Sequence, residues 1–281
     1  MKLIETKHAL RAELAPLRAA GRTIGFVPTM GFFHQGHLAL IRRAKEADDL
    51  VVVSVFVNPL QFGPSEDFSR YPRDLDRDLA LAGQAGADYL LAPSEEEMYP
   101  GGETSTRVEV GPMGEVGEGR HRPGHFAGVA TVCLKLFHLV EPDRAYFGRK
   151  DAQQLAVIRK MVRDLDLDLE VVACPTVREP DGLAASSRNH YLDGASRRAA
   201  AVLPRALFAA SEAARSGRRS AGEMKGIVEG IVSAEPGVRL QYVEVFDPET
   251  FQPLAEVRAG ATIALAAYAG GARLIDAVEI S

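Results

Sequence analysis

The chain has 281 residues, of which 46% are hydrophobic and 25% are charged, and its formal net charge is -5. This length allows one large domain or two with a sizeable core. The negative balance excludes a globally basic nucleic-acid-binding protein, and the apolar runs are far shorter than the ~20 residues that span a bilayer. Two distant cysteines, Cys133 and Cys174, and an N-terminus with charges where a signal peptide is apolar predict a cytoplasmic protein.

The predicted elements of the first 175 residues alternate between helix and strand. Helical spacing appears over residues 3–20, 37–47, 71–85, 126–140 and 152–164, and strand-like runs over 23–27, 50–57, 88–92, 145–147 and 169–173. The unbroken β-branched run at 50–57 is typical of a strand that is covered on both faces, as in a parallel sheet. Strands that alternate with helices predict βαβ units. We therefore expect an α/β fold with a Rossmann-like, doubly wound parallel sheet.

The pattern changes after about residue 180. Two alanine-rich helical stretches, 194–214 and 219–234, precede strand-like runs over 240–245, 261–268 and 273–280. Helices followed by strands are typical of a smaller α+β domain. We therefore predict a Rossmann-like domain over residues 1–176 and a C-terminal α+β domain over 177–281.

A glycine-rich segment with two histidines joins the first predicted strand to the following helix. It covers residues 28–37 and reads Pro-Thr-Met-Gly-Phe-Phe-His-Gln-Gly-His, with His34 and His37 three residues apart. In parallel sheets, ligands bind outside the carboxyl ends of the strands, and helix N-termini attract phosphate. Histidines can donate hydrogen bonds to a phosphate. The segment favours a nucleotide site, with a helix cap and a surface histidine as the alternative.

Further polar loops follow other predicted strands or the domain junction. Residues 58–63 carry side-chain amides that could bind a small substrate, and the alternative is an Asx turn. Residues 119–126 form a basic loop that could bind a carboxylate or phosphate, and the alternative is a loop exposed to solvent. In residues 148–154, Lys150 is a candidate to bind a phosphate of the nucleotide. Gln154 lies one helical turn later and is expected to face the same binding crevice. The Ser-Ser-Arg stretch within 184–189 is a candidate lid over a triphosphate. We expect these loops to converge on one crevice.

A zinc site is another interpretation of the histidines. His34 and His37 have half of a metal-ligand spacing, which His121 and His125 could complete. No cysteine or carboxylate cluster with metal spacing accompanies them. The nucleotide interpretation therefore takes precedence.

Together these motifs resemble the pantoate–β-alanine ligase (pantothenate synthetase) family, part of the nucleotidylyltransferase superfamily that carries the HIGH motif. The segments that carry the resemblance are 28–31, 34–37, 56–62, 71–73, 122–126, 150–154, 158–162 and 181–189. The histidine motif alone is shared by the superfamily. The Asn-Pro-x-Gln-Phe and Arg-Pro-Gly-His-Phe segments point to the synthetases.

The resemblance implies the ATP-dependent condensation of (R)-pantoate with β-alanine in pantothenate and coenzyme A biosynthesis. The products would be pantothenate, AMP and pyrophosphate, with pantoyl adenylate as the intermediate. It also implies a homodimer whose partners are small-molecule substrates, with no nucleic acid or membrane, and a C-terminal domain that acts as a lid. Mg²⁺ would be held mostly by ATP and water, because Asp74, Asp76 and Asp78 look like a solvated helix face.

Site residues follow from the resemblance by matching position. The implied catalytic set is His37, as proton donor, with His34, Lys150 and Arg188. The implied ATP-binding set is Met30, Gly31, Phe32, Phe33, His34, Gln35, Gly36, His37, Gly148, Arg149, Lys150, Asp151, Val177, Ala185, Ser186, Ser187 and Arg188. Gln61 and Gln154 would bind pantoate and β-alanine, with Asn58 lining the same site, and no residue is assigned as a resident metal ligand.

Two positions depart from the family pattern. Ala185 stands where members often carry Met or Leu, so packing against ATP is expected to be looser. Arg149 stands where Glu is common, and we expect it to turn outward. The alternatives to the ligase are a nucleotidylyltransferase of the same superfamily that acts on another substrate, and a nucleotide-binding module without turnover.

Overall fold

The computed structural model describes residues 1–64, 66–102 and 106–280. It divides into two compact units. Unit 1 contains Met1–Gly114, Arg122–Phe147 and Val157–Cys174, and unit 2 contains Glu115–His121, Gly148–Ala156 and Pro175–Ser281. The division of the chain between residues 176 and 177 stays a prediction. Within the described residues, no helix is both long and apolar enough to cross a membrane.

A six-stranded parallel sheet with helices forms the main fold. Its elements are β1 (Lys2–Ile4), α1 (Lys7–Ala19), β2 (Ile24–Thr29), α2 (Gln35–Ala47), β3 (Leu50–Val55), α3 (Leu75–Ala85), β4 (Tyr89–Leu91), α4 (Glu95–Met98), α6 (His125–Val140), β5 (Arg144–Gly148), α7 (Ala152–Asp164) and β6 (Glu170–Cys174). The strand order is β1-β4-β3-β2-β5-β6. The predicted α/β class with a Rossmann-like sheet is confirmed.

The centre of the sheet is apolar on both faces. Val51, Val52 and Val53 are consecutive on β3, and all three are fully buried. Because neighbouring side chains on a strand point to opposite faces, helices must cover the sheet on both sides. Each such side chain contributes roughly 1.5–3 kcal/mol relative to an exposed one.

The helix predicted over residues 3–20 was wrong at its start. Lys2–Ile4 form the edge strand β1, which pairs with β4 in the register Ile4 to Leu91. Thr6 then caps α1, its hydroxyl oxygen accepting a hydrogen bond from the Ala9 N–H at 3.2 Å. The cap explains why the helix begins only at Lys7.

The sheet brings the first two polar loops side by side. β2 and β3 are neighbours, with Pro28 opposite Ser54 and Thr29 opposite Val55. The strand order reverses between β2 and β5, and in open α/β sheets ligands bind at the carboxyl ends of the strands at such a point. The segments that leave β2 and β3 therefore begin next to each other at the ligand-binding edge.

The remaining elements form a small α+β unit, as predicted. They are α5 (Glu118–His121), α8 (Gly194–Ala200), α9 (Val202–Arg215), α10 (Ala221–Ser233), β7 (Val238–Phe246), β8 (Thr262–Ala269) and β9 (Ala272–Glu279). The strands form an antiparallel sheet in the order β7-β8-β9. Leu203, Leu207, Met224 and Val228 of the two long helices lie in one buried cluster with residues of the sheet. The helix predicted over 194–214 is divided into α8 and α9.

Candidate functional site

The loop that leaves β2 has a strained, closely held backbone. Gly31 and Phe32 both have positive φ, +82° and +50°. The Gly31 N–H donates to the Thr29 hydroxyl at 3.0 Å, and that hydroxyl donates to the Ser54 carbonyl at 2.6 Å. A positive φ at a bulky residue persists only where surrounding contacts hold it, and such residues cluster at functional sites.

His34 and His37 form a reciprocal cap at the start of α2. The Nδ1 atom of His34 accepts from the Gly36 N–H at 3.1 Å, and Nδ1 of His37 accepts from the His34 N–H at 3.4 Å. The two ring centroids are 4.0 Å apart, and the ring planes are tilted by 33°. An Nδ1 that accepts carries no proton, so each capping ring holds its proton on Nε2. The helix-cap and nucleotide interpretations therefore apply to the same two residues.

Asp78 is not on a solvated helix face, and that prediction was wrong. Its side chain is 1% exposed, and its two carboxylate oxygens accept from the Phe32 and Phe33 N–H groups, both at 2.6 Å. Burial raises the pKa of Asp78, although these two hydrogen bonds and the charge of Arg77 act in the opposite direction. The residue holds the loop of residues 31–33 against α3.

Arg77 completes this attachment. Its guanidinium donates to the Phe33 carbonyl at 2.9 Å and lies over the Phe32 ring, 5.0 Å from the centroid. The first turn of α3 thus binds the N–H groups of Phe32 and Phe33 and the carbonyl of Phe33. These contacts fix the path of the backbone that leads to His34 and to the N-terminus of α2.

Gly31→Ala is expected to destabilise the protein by about 1–3 kcal/mol and to weaken ATP binding. A Cβ at Gly31 would lie 2.8 Å from Cγ1 of Val55 and 2.9 Å from Oδ2 of Asp78, on a backbone with φ of +82°. The measurement is urea unfolding together with calorimetric titration of ATP. Gly226→Ala is the matched control, because a Cβ there meets nothing within 4 Å inside α10. Equal effects of the two substitutions would contradict the assigned strain.

Asn58 holds Gln61 in one orientation at the end of β3. The Leu60 N–H and the Tyr99 hydroxyl donate to Oδ1 of Asn58 at 3.3 and 2.8 Å, while its Nδ2 donates to the Gly128 carbonyl at 3.1 Å and to Oε1 of Gln61 at 3.2 Å. Since a backbone N–H only donates and a carbonyl only accepts, both amide orientations are determined. Nε2 is then the donor end of Gln61, 3.1 Å from the sulfur of Met30.

The basic loop before α6 is occupied by protein groups. Arg122 makes a bidentate ion pair with Glu66 at 2.7 Å for both contacts, and it also donates to Nε2 of His125 at 3.0 Å. Because Arg122 can only donate, His125 has its proton on Nδ1, which lies 2.8 Å from the Gln61 carbonyl oxygen. Burial raises the pKa of Glu66, but Arg122 outweighs it and the pKa lies below its ordinary value. These side chains hold the backbone of Gln61.

The zinc interpretation has no support in this geometry. Arg122 and the Gln61 carbonyl take up the two ring nitrogens of His125. Among residues 1–64, 66–102 and 106–280, no group of three or more His, Cys, Asp or Glu side chains is arranged to hold a metal ion.

In unit 2, the segment after β5 forms a tight turn. Residues 149–151 form a 3-10 turn between Gly148 and α7. The side chain of Lys150 is 16% exposed, and its ammonium lies 3.6 Å from the Asp151 carboxylate. Arg149 is about half-exposed and pairs with Glu279 on β9, which agrees with the expected outward turn.

Two neighbouring glutamines open α7, and they differ in environment. Gln153 is buried: its Oε1 accepts from the Glu118 N–H at 2.9 Å, and its Nε2 donates to the Val116 carbonyl at 2.8 Å. Gln154 is half-buried. Gln153 therefore positions the 115–121 segment, a role that the sequence did not reveal, and Gln154 stays the substrate-binding candidate.

The second candidate nucleotide segment lies beside a small hairpin. An isolated bridge joins Arg178 to Ala184, and the Ala185 N–H donates to the Val177 carbonyl at 2.9 Å. Ser186 caps the short turn Ser187–Tyr191 by accepting from the Arg188 N–H at 3.3 Å. Ala185 is buried. The hairpin thus holds Val177 next to Ala185, and the capped turn that contains Arg188 follows directly.

Sequence reasoning missed the residues that support these loops. Asp78 has the spacing that could have revealed it, because it shares a helix face with Leu75, Leu79 and Ala82. Tyr99, which donates to Asn58, is buried, and burial raises its pKa. No local pattern relates Tyr99 to a residue 41 positions earlier.

The protein is similar to a known enzyme family over its whole length. The family model described as pantoate-beta-alanine ligase matches residues 2–279. A pantothenate synthetase of Pelotomaculum thermopropionicum is 53% identical over 276 residues, which cover 98% of each chain. One of Caldicellulosiruptor saccharolyticus is 49% identical over 280 residues, covering 100% of this chain and 99% of the relative.

Solved structures agree with the sequence relatives. The crystal structure of pantothenate synthetase from Thermus thermophilus has a TM-score of 0.94 and 53% identity, covering 100% of this chain and 99% of that one. The pantoate-beta-alanine ligase from Francisella tularensis, in complex with beta-gamma ATP and beta-alanine, has a TM-score of 0.83 and 34% identity, covering 99% and 97%. These matches confirm the resemblance found in the motifs.

Proposed function

Because the chain belongs to the pantoate–β-alanine ligase family, we propose that it joins (R)-pantoate to β-alanine in two steps at the residues described above. The chain is an ATP-dependent ligase of this family. In the proposed first step, a pantoate carboxylate oxygen attacks the α-phosphorus of ATP and pyrophosphate leaves. In the second, the β-alanine amine attacks the carbonyl carbon of pantoyl adenylate, AMP leaves and the nitrogen loses a proton.

The observation that carries this proposal is the capped start of α2. The N-terminus of a helix presents N–H groups and a positive dipole end to phosphate. We assign Met30, Gly31, Phe32, Phe33 and the four residues 34–37 to ATP. His34 and His37 act on the phosphates, and the proton on Nε2 makes each ring a donor. His37 is assigned as the proton donor to the pyrophosphate that leaves: in the ATP complex its ring takes up a second proton on Nδ1, in place of the contact with the His34 N–H, and then transfers the Nε2 proton and becomes neutral again.

Unit 2 supplies positive charge for the same nucleotide chemistry. Lys150 and Arg188 are assigned to the phosphates, with Gly148, Arg149 and Asp151 in the turn around Lys150. Val177 is assigned to the adenine, and residues 185–187 to the remaining phosphate contacts. Adenylyl transfer requires mainly that two anions are aligned and that negative charge on the phosphate oxygens is stabilised. The C-terminal α+β domain over residues 177–281 is also proposed to act as the lid that keeps the adenylate from water.

Gln61 and Gln154 are assigned to pantoate and β-alanine. The fixed orientation of Gln61 turns a hydrogen-bond donor, Nε2, toward the end of β2. Asn58, whose amide is engaged with protein groups, supports this site by positioning Gln61. A donor that cannot rotate favours binding of a hydroxyl or carboxylate oxygen without a cost for ordering the side chain.

The nucleotide substrate is proposed to be the Mg²⁺ complex of ATP. Both oxygens of Asp78, the buried carboxylate near the loop, accept backbone hydrogen bonds. Mg²⁺ usually keeps several waters and binds substrate phosphates, so phosphate oxygens and water are expected to supply most of its ligands.

Cytoplasmic location and a homodimer complete the proposal. Both cysteines are buried free thiols, which suits a reducing compartment. The homodimer rests on the family resemblance. Sedimentation equilibrium tests it: a mass near twice the 30.3 kDa of one chain is expected, and the monomer mass at micromolar concentration would contradict it.

Product analysis tests the proposed reaction. Purified protein with Mg²⁺, ATP, pantoate and β-alanine should form pantothenate and AMP in equal amounts, without ADP, and omission of any substrate should stop AMP formation. Formation of an adenylate product without dependence on an amine would favour a nucleotidylyltransferase with another substrate. Binding of ATP without any turnover would favour a non-catalytic module.

Gln61→Ala is expected to raise the KM for pantoate about 10-fold or more and to leave ATP binding nearly unchanged, because one charge-assisted hydrogen bond is lost. Initial rates at saturating ATP measure the KM, and calorimetry measures the ATP affinity. Gln84→Ala, at an exposed position on α3, is the control. An unchanged pantoate KM would contradict the role of Gln61.

A further inference from the structure

A buried carboxylate on β9 lies outside the residues assigned so far. Asp276 is 2% exposed, and its two oxygens accept hydrogen bonds from the Arg178 guanidinium at 2.6 and 3.0 Å. Oδ1 also accepts from the Ala277 N–H at 2.8 Å. A bidentate arginine–carboxylate pair fixes direction as well as distance. Arg178 is therefore held in one orientation.

Arg178 begins the hairpin that carries the second nucleotide segment. Besides Asp276, it donates to the Gly182 carbonyl at 3.1 Å and lies over the Phe208 ring at 4.8 Å. Arg178 is the residue after Val177 and forms the bridge with Ala184. Its guanidinium thus joins the base of the hairpin to β9.

Strand β9 also contacts the other nucleotide segment of unit 2. It packs against the turn 149–151 and against residues 187–191, and Glu279 of the same strand pairs with Arg149. Burial raises the pKa of Asp276, and the charges of Arg178 and Lys150 act in the opposite direction. Strand β9 therefore joins Arg178 of the hairpin, through Asp276, to the strand face that packs against the turn 149–151.

We propose that Asp276 is a positioning residue for ATP: through Arg178 it fixes the hairpin of residues 177–185 to β9, the strand that also packs against the turn of residues 149–151. This inference rests on the assignment of both segments to ATP under the proposed function. Asp276 is assigned no contact with substrate and acts through Arg178. A buried charge with a bidentate partner is costly to disturb, since removal of one partner leaves the other charge unpaired.

Asp276→Asn keeps the shape of the side chain and removes its charge, so it tests the proposal. We expect the Kd of a non-hydrolysable ATP analogue with Mg²⁺ to rise about 10-fold or more, and the KM for pantoate to stay within about 2-fold. Amide exchange in residues 177–185 should accelerate. Asp247→Asn is the matched control: Asp247 is 4% exposed in the same unit and accepts from the Thr250 and Glu249 N–H groups.

Arg178→Lys is a second variant that keeps the charge opposite Asp276 and loses the bidentate geometry. It should weaken analogue binding in the same direction, with wild-type pantoate KM. An analogue Kd within twofold of wild type in folded Asp276→Asn would overturn the proposal, as would failure of both variants to fold. The analogue assay needs no turnover, so a wild-type protein that binds it without making pantothenate would refute the proposed function alone; absence of wild-type binding would refute the inference.

Discussion

Replacement of His37 by alanine is expected to lower the rate of adenylate formation by about 10²- to 10⁴-fold, the usual contribution of a general acid. The substitution removes the group assigned to protonate pyrophosphate and also the ring that accepts the His34 N–H. Loss of such a cap typically costs only ~1 kcal/mol of stability. Single-turnover formation of AMP-linked product measures the rate, and urea unfolding measures the stability.

His8→Ala provides the control for this experiment. His8 lies at an exposed position of α1, so its removal should leave both quantities near wild type. A His37→Ala protein that keeps full activity would remove His37 from the mechanism. Unfolding of the variant, with no measurable folded fraction, would assign the residue a structural role instead.

Lys150→Ala is expected to reduce adenylation by about 10²- to 10³-fold, the effect of removing one preorganised donor to a developing charge. The Lys150 side chain is largely shielded from water, and its ammonium lies 3.6 Å from the Asp151 carboxylate. A cation in such a position acts strongly on phosphate charge because the surrounding dielectric is low. Initial rates of ATP–pyrophosphate exchange at saturating pantoate provide the measurement.

A lysine on α7, the helix that follows the turn containing Lys150, serves as the control. Lys160 is 37% exposed and pairs with Asp164 one turn along α7, where an exposed pair contributes little. Lys160→Ala should keep the wild-type exchange rate. If the two lysine variants lose activity equally, the loss results from the change in net charge or from impaired folding. That outcome would contradict the assignment of Lys150 to the ATP phosphates.

The local patterns of the sequence predict the central elements well. β3 is recognisable from its unbroken β-branched run, which matches the burial of its valines on both faces of the sheet. α2 is recognisable because a capping segment precedes an amphipathic run. β1 is different: three residues with one buried side chain carry no periodicity, and its strand character comes from pairing with β4, more than 80 residues later. Only the tertiary structure supplies that partner.

The same limit applies to the supporting groups of the site. The motif residues are visible in the sequence because chemistry requires their types and spacing. Glu118 shows why the rest is hidden: it lies in the first half of the chain, yet it is bound to Arg273 at 2.6 and 2.7 Å across 155 positions. Asp78 likewise looks solvated among alternating charges until the loop that it holds is folded against it.

ATP–pyrophosphate exchange with wild-type protein, Mg²⁺ and pantoate, in the absence of β-alanine, tests the central claim most directly. We expect exchange that requires pantoate and needs no amine, because the carboxylate is adenylated before β-alanine reacts. Labelled pyrophosphate should then appear in ATP. Absence of exchange in protein shown to be folded, or exchange only when β-alanine is also present, would contradict the two-step mechanism.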